Sequence, residues 1–180
     1  MLNGEFEHED STGSKGKMEP GDIQWMKTGR GIIHSEMPAM SDGKLLGFQL
    51  WINMPASMKM NKPKYEYIKS KQKTKFEDQD KKINLIAGKF EDVEGPVKGH
   101  NIEPIYFDIE LNENKTINLE VPETHNSFVY LLKGDLKIGS KTHENISDST
   151  LILLEKGSDL EILANKKSKF LFIAGKPIGE

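Results

Sequence analysis

Short runs of β-branched and aromatic residues recur along the chain, separated by glycine-containing turns, and almost no stretch holds apolar residues at helical spacing. The pattern predicts an all-β protein. Strands are expected at Gly4–Glu9, Ile23–Met26, Gly31–Met37, Leu45–Met54, Ile83–Phe90, Ile105–Leu111, Thr116–Val121, Ser127–Leu132, Asp135–Ile138, Ser149–Leu154, Leu160–Ala164 and Lys169–Ala174. The connections carry Ser-Thr-Gly-Ser-Lys-Gly (11–16), Glu-Pro-Gly-Asp (19–22), Asn-Glu-Asn-Lys (112–115) and Lys-Gly-Ser-Asp (156–159). In such turns glycine reaches positive φ and proline presets φ.

From Lys69 to Lys82 nearly every residue is charged or an amide: Lys69, Lys71, Lys73 and Lys75 precede Phe76, and Glu77-Asp78-Gln79-Asp80 follows it. Opposite charges this close cancel, so the stretch reads as a solvated connection rather than a phosphate-binding surface. A faint repeat lies on either side of it. Leu2-Asn3-Gly4-Glu5-Phe6 followed by Glu19-Pro20-Gly21-Asp22-Ile23 is echoed by Leu132-Lys133-Gly134-Asp135-Leu136 followed by Glu155-Lys156-Gly157-Ser158-Asp159-Leu160. The expected organisation is two copies of one β-barrel unit, residues 1–68 and 83–180, joined by a charged linker at 69–82.

Composition narrows the chemistry. The formal net charge is only −3, so no strong field of either sign calls for nucleic acid, and no direct nucleic-acid binding is expected. The chain has no cysteine, which excludes disulfides, thiolate nucleophiles and Cys-based metal centres and leaves His, Asp and Glu as ligands for any metal. The longest apolar runs, such as Phe170–Ala174, fall far short of the roughly 20 residues of a membrane helix. The N-terminus shows no basic-then-apolar signal pattern, so the expected compartment is the cytoplasm, with no membrane contact. Met1 and Leu2 run directly into Asn3-Gly4-Glu5-Phe6-Glu7-His8, which reads as the middle of a hairpin. The expectation is therefore a fragment, with both barrels incomplete.

The most specific segment runs from Pro20 to Pro38: Pro-Gly-Asp-Ile-Gln-Trp-Met-Lys-Thr-Gly-Arg-Gly-Ile-Ile-His-Ser-Glu-Met-Pro. Gly29 and Gly31 permit a tight backbone path, after which Ile33, His34, Ser35 and Glu36 enter a strand. Side chains alternate faces along a strand, so His34 and Glu36, two residues apart, project to the same side. An imidazole nitrogen beside a carboxylate oxygen offers two adjacent ligands to a borderline divalent metal such as Fe(II).

This segment, with the preceding Glu7-His8-Glu9-Asp10 and the following Gly47-Phe48-Gln49-Leu50-Trp51-Ile52-Asn53, closely resembles the N-terminal domain of the pirins. The likeness is strongest from Gly4 to Tyr67 and looser in the C-terminal half, where Phe128-Val129-Tyr130, Gly134-Asp135 and Ala174-Gly175-Lys176-Pro177 match pirin segments. The resemblance implies a cupin with two β-barrel (jelly-roll) domains, the N-terminal one holding a single Fe(II) through three histidines and a glutamate and the C-terminal one metal-free. His34 and Glu36 match the later histidine and the glutamate of that set. The other two histidines belong to a His-Pro-His-Arg-Gly stretch that this sequence lacks, so iron binding and activity are expected to be impaired in the chain as it stands. By the same resemblance Glu36 both ligates the metal and accepts the substrate hydroxyl proton in a quercetin 2,3-dioxygenase-type reaction of a flavonol with O₂. The alternative the family offers is a non-enzymatic iron or redox sensor that binds a transcription factor or a metabolic enzyme, with a nuclear location if the source is eukaryotic. A monomer is expected.

The remaining candidates carry weaker expectations. His8 matches a family position outside the metal set and reads as a hairpin residue partly in solvent. His125 sits where a second cupin could begin its own metal motif, but no second histidine follows at the required spacing. His100 and His143 fall in polar turns and read as solvated. Met54, Met58 and Met60 read as padding for a core or its edge. Trp25 and Trp51 read as barrel-wall residues, with Trp25 near enough to the metal-bearing strand to line a pocket.

Overall fold

Strands account for nearly all the regular structure of this computed structural model, which describes residues 1–139, 146 and 148–180. The chain divides into two units, Met1–Gln72 with Ile178–Glu180, and Lys73–Pro177.

In the first unit, β1 (Phe6–Asp10) is the centre of an antiparallel sheet between β2 (Lys15–Met18) and β4 (His34–Pro38), while β3 (Ile23–Lys27) pairs with β5 (Lys64–Ile68) as a two-stranded ribbon. Glu7 and Glu9 of β1 point to solvent, so His8 and Asp10 are turned inward. The β1–β2 turn is held by Asp10, whose Oδ1 accepts from the Thr12 backbone N–H at 2.8 Å, the Thr12 hydroxyl at 2.6 Å and the Ser14 N–H at 3.2 Å. Asp22, only 1% exposed, ties the start of β3 to the end of β5. Its carboxylate accepts from the N–H groups of Glu19 (3.1 Å) and Ser70 (2.8 Å), the Tyr67 hydroxyl (3.0 Å) and the Lys69 ammonium (2.9 Å).

Three expectations for this unit are corrected. Leu45–Met54 is not a strand: only Leu46 forms a bridge, with Asn3, and among the described residues no strand lies along the segment. Without a paired neighbour its side chains are not packed into a wall, and Trp51 is 87% exposed. Met60 is likewise exposed rather than padding a core. Two strands, β2 and β5, lie where none was expected.

The second unit contains β6 (Thr74–Glu77), β7 (Lys81–Ala87), β8 (Lys89–Phe90), β9 (Val93–Glu94), β10 (Ile105–Leu111), β11 (Lys115–Glu120), β12 (Asn126–Ile138), β13 (Thr150–Leu153) and β14 (Asp159–Gly175). Its sheet runs β13-β12-β14-β10-β7-β6, and β11 pairs with the first half of β14. The long β14 thus pairs with β11 through residues 159–164 and with β10 through 168–174, while β12 follows it along both halves. Alternation sends Phe107, Ile109 and Leu111 of β10, Ile117 and Leu119 of β11, and Ile162, Ala164, Phe170 and Phe172 of β14 into one core. Burying a Leu, Ile or Phe side chain contributes about 1.5–3 kcal/mol, so this cluster is the principal stabiliser of the unit.

The inward parity of β12 changes midway, from Val129 and Leu131 to Leu136 and Ile138. Register shifts between Leu131 and Leu136 supply the extra residue, and Gly134 takes φ +118° there, where a Cβ would lie 2.6 Å from the Ser168 Cα. The bulge explains why two separate strands were expected where one continuous strand runs. The charged stretch 69–82 also has structure of its own: a 3-10 turn at Ser70–Gln72, then β6 paired with β7, with Phe76 packed against the core. The division between the units falls within it, after Gln72.

Candidate functional site

His34 and Glu36 lie on β4, and antiparallel pairing with β1 puts Asp10 opposite His34 and His8 opposite Glu36. Residues opposed across an antiparallel pair project to the same face, so all four side chains share one side of the sheet. Burial splits them by strand: His8 is 2% and Asp10 7% exposed, whereas every residue of β4 is exposed. The His8 and His34 rings stack with centroids 5.5 Å apart and planes inclined by 23°. His8 Nδ1 is 3.9 Å from Glu36 Oε1, and its Nε2 is 3.6 Å from Asp10 Oδ2.

Behind His8 stands Tyr65 of β5, whose hydroxyl is 2.5 Å from His8 Nε2 and accepts from Gln24 Nε2 at 2.5 Å. These residues, with Tyr67, Gly16 and Lys69, line a cleft of about 320 Å³. Burial, followed by the negative charges of Asp10 and Glu36, holds the Tyr65 phenol well above its ordinary pKa, so it keeps its proton. The Thr12 hydroxyl holds the Asp10 carboxyl below its ordinary value, against the upward push of burial and with help from the Thr12 and Ser14 N–H groups. Two buried polar atoms of this site, His8 Nδ1 and Asp10 Oδ2, make no hydrogen bond among the described residues.

The expectation for His8 is thereby corrected: it is the most enclosed residue of the site, because the alternation that exposes Glu7 and Glu9 turns it inward. His34 and Glu36 are brought together on one face. An imidazole and a carboxylate are the kinds of donor a first-row divalent ion takes, so the pair fits such an ion in chemistry. In number it supplies two donors, and among the described residues no group of three or more His, Asp or Glu side chains is arranged to hold a metal. Elsewhere, His125 is buried, with Nε2 3.0 Å from the Glu103 carbonyl oxygen and Nδ1 3.3 Å from the Thr124 hydroxyl. His100 is half-buried, which corrects its reading as a solvated turn residue, and His143 lies outside the described residues.

Comparison with known proteins decides the family. A family model described as Pirin matches residues 1–52, and one described as the Pirin C-terminal cupin domain matches residues 106–180. A pirin-like protein of Caulobacter vibrioides is 33% identical over 182 residues, covering all of this chain. The chain belongs to the pirin family. It spans 65% of the length of that pirin relative. Among solved structures, quercetin 2,3-dioxygenase from Acinetobacter baumannii superposes with a TM-score of 0.86 at 27% identity, over 99% of this chain and 64% of that one. The bacterial pirin YhhW of Escherichia coli, in complex with nickel(II), gives a TM-score of 0.73 at 25% identity, over 98% of this chain and 69% of that one. The all-β architecture is thus that of a pirin cupin. Among the described residues no helix is long and apolar enough to cross a membrane.

Proposed function

We propose that His34 and Glu36 are metal ligands of a pirin-type centre, taking Fe(II), and that the whole protein uses this centre for a quercetin 2,3-dioxygenase-type reaction of a flavonol with O₂, in the cytoplasm and as a monomer. The observation that carries this reading is the placement of His34 and Glu36 side by side on the face of β4 that opposes the inward-turned His8 and Asp10. The nickel(II) complex of YhhW and the dioxygenase name of the Acinetobacter structure support it. When bound, the metal would supply the electronic chemistry that couples a flavonol to O₂. His34 contributes a neutral imidazole nitrogen, and Glu36 contributes a carboxylate oxygen and, through its other oxygen, an acceptor for the flavonol hydroxyl proton. Two donors of the four that the family resemblance implies leave coordination short, and little turnover is expected of the chain as it stands.

The test is iron content after anaerobic Fe(II) loading, for the wild-type chain and for His34→Ala and Glu36→Ala, followed by quercetin consumption in air. The expected outcome is weak iron retention that each variant reduces about tenfold or more, a difference of about 1.4 kcal/mol, with slow quercetin turnover. Equal retention by all three proteins would remove His34 and Glu36 from the site. Rapid Fe(II)-dependent turnover would show that other residues of the chain complete the coordination.

A further inference from the structure

Beneath the exposed pair runs a chain of hydrogen bonds from Gln24 through Tyr65 to His8. Gln24 Nε2 donates to the Tyr65 oxygen, which lies 2.5 Å from His8 Nε2. The oxygen already accepts, and the phenol keeps its proton, so its O–H needs an acceptor. His8 Nε2 is the one within hydrogen-bonding distance. A neutral imidazole that accepts at Nε2 carries its proton on Nδ1. That Nδ1 is buried, hydrogen-bonds to nothing among the described residues and faces Glu36 Oε1 at 3.9 Å. In the opposite tautomer Nε2–H would donate to an oxygen that already accepts from Gln24, the phenol O–H would lose its acceptor among the described residues, and Asp10 Oδ2, at 3.6 Å from Nε2, is too far for a hydrogen bond.

We propose that His8 is a positioning residue for Glu36: Gln24 and Tyr65 fix its imidazole as the Nδ1–H tautomer, and the Nδ1–H orients the Glu36 carboxylate from below. The Glu36 side chain is 32% exposed, and its Oε1 lies roughly 1 Å beyond hydrogen-bonding distance of Nδ1. One lone pair of Oε1 is then held toward His8, and the remaining lone pairs of the carboxylate are left for the metal and for the flavonol hydroxyl proton. In that tautomer Nδ1, the nitrogen that faces Glu36, carries a proton and offers no lone pair to a metal. Outer partners of this kind set the orientation of ligating groups, and their loss typically weakens metal binding by about 10–100-fold. The consequence for metal rests on the functional reading above; the tautomer does not.

Two measurements separate the two claims. In the full chain labelled with ¹⁵N-histidine, long-range ¹H–¹⁵N spectra should show His8 protonated at Nδ1 and unprotonated at Nε2. Tyr65→Phe, which removes only the hydroxyl, should shift that population toward Nε2–H, and Gln24→Leu should do so in part. An Nε2–H tautomer in the wild-type chain, or one insensitive to both substitutions, overturns the proposal whatever the protein does with metal. Nickel(II) titration then compares wild type with His8→Phe, which keeps a ring to stack on His34 but has no N–H, and with His8→Gln, which can restore a donor. Nickel affinity should fall about tenfold in His8→Phe and recover in part in His8→Gln. Loss in His8→Phe as complete as in His34→Ala would make His8 a ligand, and unchanged affinity would leave it without a role toward Glu36; either result refutes the positioning. Failure of the wild type to bind nickel(II) would remove the metal reading of His34 and Glu36, and the tautomer would still decide the inference about His8.

Discussion

Replacing Asp22 should destabilise the first unit and leave the stability of the second unchanged. The carboxylate is 1% exposed and gathers four donors: two backbone N–H groups, a phenol and an ammonium. A hydrogen bond to a charged group contributes about 1.5–3 kcal/mol, and removing the acceptor leaves the Glu19 and Ser70 N–H groups dependent on water. The ion pair with Lys69 adds little, because the lysine side chain is 44% exposed and such pairs are screened to about 0–1 kcal/mol. Asp22→Ala should therefore cost about 3 kcal/mol, and Asp22→Asn, which keeps one acceptor oxygen, about 2 kcal/mol. Both tryptophans of the chain, Trp25 and Trp51, lie in the first unit, so intrinsic tryptophan fluorescence follows that unit alone. For a unit of this size about 3 kcal/mol lowers Tm by about 12–24 °C. Burial pushes the Asp22 carboxyl up, but the Glu19 N–H, the Lys69 ammonium, the Ser70 N–H and the Tyr67 hydroxyl outweigh it and hold the pKa below the ordinary value. The ionised group thus stabilises the fold fully above the unfolded value, near about pH 3.9, and that contribution is lost as pH falls through the lower folded value. The deficit of Asp22→Asn should be complete at neutral pH and close in strong acid. A deficit under about 1 kcal/mol at neutral pH, or one that persists unchanged to about pH 2, would refute the account of Asp22 as a charged clamp.

Three further outcomes are expected. Gly134→Ala should destabilise the second unit by about 2–4 kcal/mol, because alanine resists φ +118° and its Cβ would collide with the Ser168 backbone; faster amide exchange in β12 and β14 would register it. Phe170→Ala should cost about 3–5 kcal/mol in the same exchange measurement, since the ring is fully buried in the core and leaves a cavity. His34→Ala and Glu36→Ala, both on the exposed strand β4, should change the fluorescence-monitored stability of the first unit by less than about 0.5 kcal/mol, so any loss of metal binding in them is not a folding defect.

The legibility of the strands follows from how each is packed. β10 was readable to the residue, because Phe107, Ile109 and Leu111 alternate along Ile105–Leu111 and all three lie in the core. β12 and β14 were each read as two strands, because Lys133-Gly134-Asp135 and Asn165-Lys166-Lys167 have turn composition; in the structure the first forms a bulge and the second runs on as strand. β6 was hidden by charge. Thr74–Glu77 alternates Thr and Phe against Lys and Glu, and half-burial of the first pair is enough for pairing with β7. Leu45–Met54 failed in the opposite sense, since apolar and β-prone residues make a strand only where a neighbour offers hydrogen bonds, and sequence periodicity says nothing about the neighbour.

For the site, the two-residue spacing was sufficient to place His34 and Glu36 on one face, because that inference needs nothing beyond the geometry of a single strand. His8 required one step more, and the sequence contained it. Glu5, Glu7 and Glu9 occupy one face of the expected strand Gly4–Glu9, three acidic groups that are costly to bury together, so Phe6 and His8 had to form the inner face. What no local pattern could supply was the partner across the sheet: the register that sets His8 against Glu36 joins segments 28 residues apart. Tyr65 lies farther still from His8, on a strand that was not expected at all, and it carries the hydroxyl that orders the imidazole. The ligand pair is therefore a property of sequence, whereas the device proposed to orient it exists only once β1, β4 and β5 have folded around a single buried ring. A substitution at Tyr65 could thus disturb the chemistry of Glu36 without touching any residue of the His-Ser-Glu motif.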